Sequence, residues 1–385
     1  VVSVLQLNSE RDCQLDVIRG VAILGIVFLN VFSFAIPSLY SFDLYWHQHG
    51  ISGLDAGLYQ IQQLFLQGRF RSILTLLFGV GLWLLATQDP AENGHLTMPR
   101  MKLVKRRYLV LAVFGFCHLS FFWTGDITFW YALSALMLLA FGFLKLTALV
   151  QWHLGLALVA LTMVLNYAAA WTLPLNEPSF SVGLTDDEII AARALQLGPM
   201  LPLFTQMFFE NLANTVGFIF NLAWLNIGIM LMGISLYRQD FFKTGMRRWQ
   251  EILLLVLALM LDALGLTISN GTQSLANFWY DFSALLMALV FCSWLVKWRS
   301  TNRLQHWLQL TGQMALSLYF LQTILFLTWF RFVNPDWYAN SERWQLILLG
   351  GAVALVPFTF AVVWRYFFTI GPLEWCWRRL YRAQF

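Results

Sequence analysis

The chain has 385 residues, of which 59% are hydrophobic and 11% charged, whereas a soluble domain carries about 25% charged residues. With 34 Phe, 18 Trp and 12 Tyr there is too little polar side chain to cover a soluble surface, which excludes an ordinary soluble enzyme, a disordered chain and a disulfide scaffold. The net charge of +4 is small, and no basic block interleaved with aromatics points to a nucleic-acid partner.

Apolar stretches near 20 residues recur along the chain, the signature of a polytopic α-helical membrane protein rather than the short alternating segments of a β-barrel. We read about ten spans: 17–37, 68–88, 108–123, 127–145, 151–172, 214–236, 250–269, 279–297, 309–331 and 345–368. The first has no small-residue cleavage site and reads as a retained span. Stretches 54–66 and 200–213 are amphipathic and read as interfacial or re-entrant. No loop is long enough for a second domain, so residues 1–385 form one transmembrane unit. The four cysteines are scattered without a CxxC and read as small buried hydrophobes.

Placement of charge sets the orientation. Fifteen of the 24 basic residues fall in segments 89–107, 238–249, 297–303 and the C-terminal tail, while the alternate loops hold only Arg193 and Arg343. The basic loops are therefore expected inside, with both termini cytoplasmic.

Ionisable groups within spans are costly and mark functional candidates. Asp16 and Arg19 open the first span at i, i+3 and share a helix face. They form either an ion pair with an anchoring arginine or a clamp for a phosphate-rich ligand. Arg69 and Arg71 break the positive-inside trend at an outer boundary. They either snorkel or meet an anionic group; Gly79 and Gly81 after them read as close-packing positions. His118 in the third span and Asp126 in the turn before the fourth are close enough in sequence to meet. A His oriented by a carboxylate is the common general-base pair, with a packing hydrogen bond as the plainer alternative. Asp262 and a dispersed set including Asn30, Gln63, Gln67, Asn211, Asn214, Asn221, Asn226, Gln313, Ser317, Tyr319 and Gln322 either join helices or line a wet cavity. His47 and His49 form an H-x-H pair with no cluster to complete a metal site, and none is expected elsewhere. G-x-S-x-G, HExxH, Walker A and CxxCH signatures are absent.

Several ordered blocks together resemble the YeiB-like bacterial inner-membrane proteins, the "domain of unknown function 418" group. They are Asp16-Val-Ile-Arg19-Gly20, Leu77-Phe78-Gly79-Val80-Gly81, Gly115-Phe-Cys-His118 with Gly125-Asp126, Gly312-Gln313-Met-Ala-Leu-Ser317, and Gly371-Pro372-Leu373-Glu374-Trp375. That group is similar in its first spans to the heparan-α-glucosaminide N-acetyltransferase family and, more distantly, to membrane acyltransferases that modify extracytoplasmic sugars. The resemblance implies a transmembrane-acyltransferase-like bundle in a bacterial inner membrane, with acyl-CoA (acetyl-CoA) as cosubstrate and a small-molecule or glycan acceptor outside. A homodimer is open as an assembly.

On this reading His118 is the base, Asp126 its orienting partner, and Tyr131 or Asn30 the oxyanion donor. Asp16, Arg19, Lys105, Arg106 and Arg107 hold the CoA phosphates, and Arg69, Arg71 and Asp262 serve the acceptor. The heparan enzyme's catalytic His after the first span corresponds instead to His47 or His49. A proton-coupled transporter, with His118, Asp126 and Asp262 as relay, is the alternative.

Overall fold

The structure, a computed structural model, describes residues 13–37, 53–87, 98–172, 184–268, 273–298 and 302–383. Every regular element among the described residues is helical. Two helices in line, α1 (Cys13–Gly25) and α2 (Val27–Ala35), open the chain. They are followed by α3 (Gly53–Phe65), α4 (Arg69–Thr87), α5 (Met98–Phe121) and α6 (Thr128–Ala140). Next come α7 (Ala148–Thr172), α8 (Asp186–Leu197), α9 (Met200–Phe220), α10 (Leu222–Arg238) and α11 (Arg248–Ile268). The bundle closes with α12 (Gln273–Lys297), α13 (Arg303–Gln313), α14 (Ala315–Thr328), α15 (Arg343–Phe367) and the short α16 (Pro372–Arg382).

Among the described residues, seven helices are long and apolar enough to cross a membrane, or eight if the bent pair α9–α10 counts as one span. The sequence reading of ten is not reached, for two reasons. Helix α6 has 13 residues, about 20 Å where a hydrocarbon core needs about 30 Å. Helix α5 begins ten residues before the expected span, at Met98, so Arg100, Lys102, Lys105, Arg106 and Arg107 lie within the helix rather than in a loop. The expected span 214–236 is also not continuous. It breaks at Asn221 (φ −129, ψ −87), where α9 and α10 meet at a bend of 57°, and 200–213 is the first part of α9 rather than a separate interfacial piece. Stretch 54–66 runs on towards α4 within a single 35-residue apolar stretch, Gly53–Thr87. Lipid-facing surface is plain on α11, where Ile252, Leu253, Val256, Leu257 and Met260 are all exposed.

In lipid there is little hydrophobic drive between helices, so packing and small residues do the work. Three helix pairs show this reciprocally. A Cβ on Gly20 of α1 would overlap the Leu308 carbonyl of α13, and one on Gly312 of α13 would overlap the Asp16 carbonyl of α1. Gly79 of α4 lies against the Met230 carbonyl of α10, and Gly233 of α10 against the Leu76 carbonyl of α4. Gly155 of α7 and Gly228 of α10 meet similarly, each added Cβ falling 2.7–2.8 Å from the other's carbonyl oxygen. Gly79 is thus the packing glycine the sequence suggested. Gly81 is not: a Cβ there meets nothing within 4 Å.

Arg19 of α1, Arg107 of α5 and Arg378 of α16 border one cavity, so the first and last helices meet at the same basic end of the bundle.

Candidate functional site: a buried Thr–His–Asp cluster beside two cavities

His118 lies in the last turn of α5, and Asp126 sits where the chain turns into α6. The imidazole Nδ1 is 2.9 Å from Asp126 Oδ1, and Nε2 is 3.0 Å from Thr323 Oγ1 on α14. All three side chains are buried, each about 1% exposed. The second carboxylate oxygen of Asp126 accepts the Phe129 N–H at 2.8 Å, which holds the first turn of α6. Nδ1 thus faces the carboxylate and Nε2 the hydroxyl. The Thr323 hydroxyl is also within reach of the Tyr319 carbonyl, to which it donates at 3.4 Å. A carboxylate on one ring nitrogen and a hydroxyl on the other is the arrangement in which a carboxylate orients an imidazole towards a hydroxyl. Rings of Phe122, Tyr319 and Phe320 enclose the imidazole, the nearest centroid at 4.1 Å.

Two cavities meet beside this cluster. The first, about 240 Å³, opens at the basic end between Arg19, Arg107 and Arg378 and runs over apolar Leu74, Leu77 and Phe78 to Ile127, Tyr131 and Tyr319. Gly81 lines it, and the missing side chain leaves that space open. The second, about 550 Å³, lies between Arg71, Trp130, Asn214, Asn221 and Asn226 and also reaches Ile127 and Tyr131. Ile127 and Tyr131 are therefore a shared wall, directly after Asp126 in the chain. The Tyr131 hydroxyl donates to the Arg71 carbonyl at 2.9 Å and accepts from Thr75 at 2.8 Å, which pins α6 to α4. The Tyr319 hydroxyl accepts the Ile127 N–H at 3.1 Å, so its own proton is available at the first cavity.

The expected residues are sorted by this geometry. Arg19 bonds Asp16 at 2.8 Å and is still partly exposed at the mouth of the first cavity. Arg107 lines the same mouth with its guanidinium 4.2 Å from the Trp377 ring, and Trp377 Nε1 donates to the Arg107 carbonyl. Lys105 is exposed and Arg106 half-buried on α5; neither borders this cavity. Arg69 is fully buried. It donates to both carboxylate oxygens of Asp262 at 2.6–2.7 Å and to Ser283 at 3.0 Å, and this pair borders neither cavity. Arg71 pairs with Asp281 at 2.8 Å, both half-exposed. Asn30 is buried on α2 and borders neither cavity. His47 and His49 lie outside the described residues. No group of three or more His, Cys, Asp or Glu side chains suited to a metal occurs among the described residues.

Two partners escaped the sequence reading. Thr323 stands one helical turn after Tyr319 and next to Gln322, both singled out, and its spacing on that face was the available signal. Glu374, noted only within a family block, reaches Ser317 on α14. One carboxylate oxygen accepts the Ser317 N–H at 3.1 Å and the other the Ser317 hydroxyl, joining two of the family blocks at the basic end.

The fold and site define a multi-pass helical membrane protein with a buried Thr–His–Asp cluster next to Ile127 and Tyr319, residues that line a basic-mouthed cavity, Ile127 also bordering an amide-rich one. Residues 236–384 match the family model described as "Protein of unknown function (DUF418)". End to end, the chain is 27% identical to the uncharacterized protein YeiB of Escherichia coli, over 96% of each chain. It is 26% identical to the uncharacterized protein YxaH of Bacillus subtilis, over 97% of this chain and 94% of the relative. It is 28% identical to an uncharacterized 39.9 kDa protein of Bacillus acidopullulyticus, with the same coverage. The chain is thus similar to the DUF418 model over its C-terminal part and to YeiB-like proteins along nearly its whole length. No solved structure matches it.

Proposed function

We propose that the protein is a transmembrane acyltransferase of the bacterial inner membrane. It would move an acyl group from acyl-CoA, acetyl-CoA being the simplest donor, to a hydroxyl or amine on the opposite side. The observation that carries this reading is the pair of cavities back to back at Ile127 and Tyr131. A donor with a phosphate-rich head suits the three arginines at one mouth, and an acceptor in the other cavity approaches the same wall. Membrane acyltransfer needs a base for the acceptor and a donor for the oxyanion. His118, held by Asp126, is the base in this scheme.

Tyr131 is displaced from the oxyanion role because its proton is committed to the Arg71 carbonyl; Tyr319 takes that role. Since His118 is buried, binding must turn the Tyr319 or Phe320 ring aside to expose Nε2, the kind of tightening that resting structures omit. The test is binding of acetyl-CoA to the purified protein, followed by acyl transfer to nucleophiles. His118→Ala is expected to retain binding and lose transfer by about 10²–10⁴-fold. Undiminished transfer by this variant, or no acetyl-CoA binding by the unaltered protein, overturns the reading.

One observation favours the rival reading of a proton-coupled transporter: the interrupted helix at Asn221, a feature of transporter binding sites. Substrate movement that collapses with the proton gradient, in a protein that ignores CoA, would identify it.

A further inference from the structure

The amide-rich cavity lies at a definite depth. Asn221 is 17 residues from Arg238 along α10, which is about 25 Å of helix from the basic end, near the far edge of a hydrocarbon core about 30 Å thick. At that level three asparagines, Asn214, Asn221 and Asn226, line a space flanked by large apolar side chains. On the outward side Leu212, Val216, Phe220 and Leu222 are exposed, Phe220 by 79%. Asn214, Gly217 and Asn221 are exposed beside this apolar surface, so at this depth the hollow shares its face with side chains suited to lipid. The 57° bend at Asn221 parts α9 from α10, and Gly217, which lines the hollow, has nothing within 4 Å of an added Cβ. The lining is close to electrically neutral, because the one guanidinium, Arg71, is paired with Asp281. Amides both donate and accept, so they match hydroxyl or amide groups better than ions.

We infer that this cavity holds the neutral, hydrogen-bonding headgroup of a membrane amphiphile that enters sideways between α9 and α10, its chains lying against Val216, Phe220 and Leu222. This rests on the proposed acyl transfer only in naming the occupant as the acceptor; the binding itself stands without it.

The experiment uses full-length protein in phosphatidylcholine nanodiscs doped with a photoreactive diacylglycerol, whose headgroup is a neutral hydroxyl. Parallel samples carry photoreactive phosphatidic acid or a water-soluble photoreactive glycerol. Labelling by the diacylglycerol is expected on 127–131 and 213–226. Gly217→Leu, which fills the hollow, should reduce it about tenfold, a loss of some 1.4 kcal/mol in affinity. Gly57→Leu adds the same side chain at another position open beyond its Cβ and should leave labelling unchanged. Labelling unaffected by Gly217→Leu overturns the inference, as does preference for phosphatidic acid or labelling by the soluble glycerol alone. Acetyl-CoA binding, read separately at the other cavity, distinguishes this failure from that of the acyltransferase reading.

Discussion

Two buried polar clusters in this bundle look alike in sequence and differ in their surroundings. Arg69, Asp262 and Ser283 join α4, α11 and α12 in a closed set, in which one guanidinium nitrogen meets both carboxylate oxygens and the hydroxyl. His118, Asp126 and Thr323 join α5, the turn before α6, and α14. Neither cluster lines a cavity itself. The second lies against Tyr319 and immediately precedes Ile127, both of which line the basic-mouthed cavity. Charge within a membrane therefore does not by itself mark a site. An ion pair whose opposite charges meet inside the bundle holds helices together, whereas a titratable group whose immediate neighbours line a cavity has a short way to send a proton.

The contrast is sharpest when each cluster is cut. Removing one member of a buried ion pair leaves an uncompensated charge and costs about 3–5 kcal/mol. Arg69→Ala or Asp262→Ala should therefore destabilise the protein strongly, read as loss of folded protein in detergent unfolding. The double replacement Arg69→Met with Asp262→Leu should recover most of that loss. His118→Ala should do the reverse, costing less stability, about 1–3 kcal/mol, because Asp126 keeps the Phe129 N–H, while removing transfer. If the His118 variant unfolds as readily as the Arg69 variant while transfer by the folded fraction persists, the two clusters are of one structural kind. Between these lies Gly81→Leu. Its added side chain enters the basic-mouthed cavity where nothing stands within 4 Å of the Cβ. Acetyl-CoA binding should weaken by about tenfold or more, near 1.4 kcal/mol, with no change in unfolding. Unchanged affinity in calorimetry would move the donor out of this cavity.

How much of this was legible beforehand follows from the range over which each feature acts. The helical membrane class came from composition, and the His118–Asp126 contact from a separation of eight residues across one tight turn. Thr323 is 205 residues from His118, and no local pattern reports such a partner. The ion pair of Arg69 with Asp262 spans 193 residues, so both were assigned to a substrate with no local sign that they pair with each other. The break at Asn221 was hidden because the hydropathy of 214–236 runs through it unbroken. Gly79 and Gly81 look equivalent in a string of letters, yet residues two apart on a helix point to different sides, and one meets a carbonyl while the other faces a hollow.

Arg71 tests the comparison where the expected effect is smallest. It sits two residues from Arg69 and was expected to share its role, but its pair with Asp281 is half-exposed, at 44% and 35% side-chain exposure. Exposed pairs of this kind contribute about 0.2–1 kcal/mol. What α6 uses of Arg71 is its carbonyl, which accepts from the Tyr131 hydroxyl, and the carbonyl survives replacement of the side chain. Arg71→Ala should therefore lower stability by no more than about 1 kcal/mol and keep Tyr131 in place as the wall between the cavities. Diacylglycerol labelling near Trp130 and Asn214 should persist in this variant, because the amides rather than the guanidinium hold a neutral headgroup. Loss of labelling without loss of stability would instead put the Arg71 guanidinium in contact with the ligand, and the cavity would then select for negative charge.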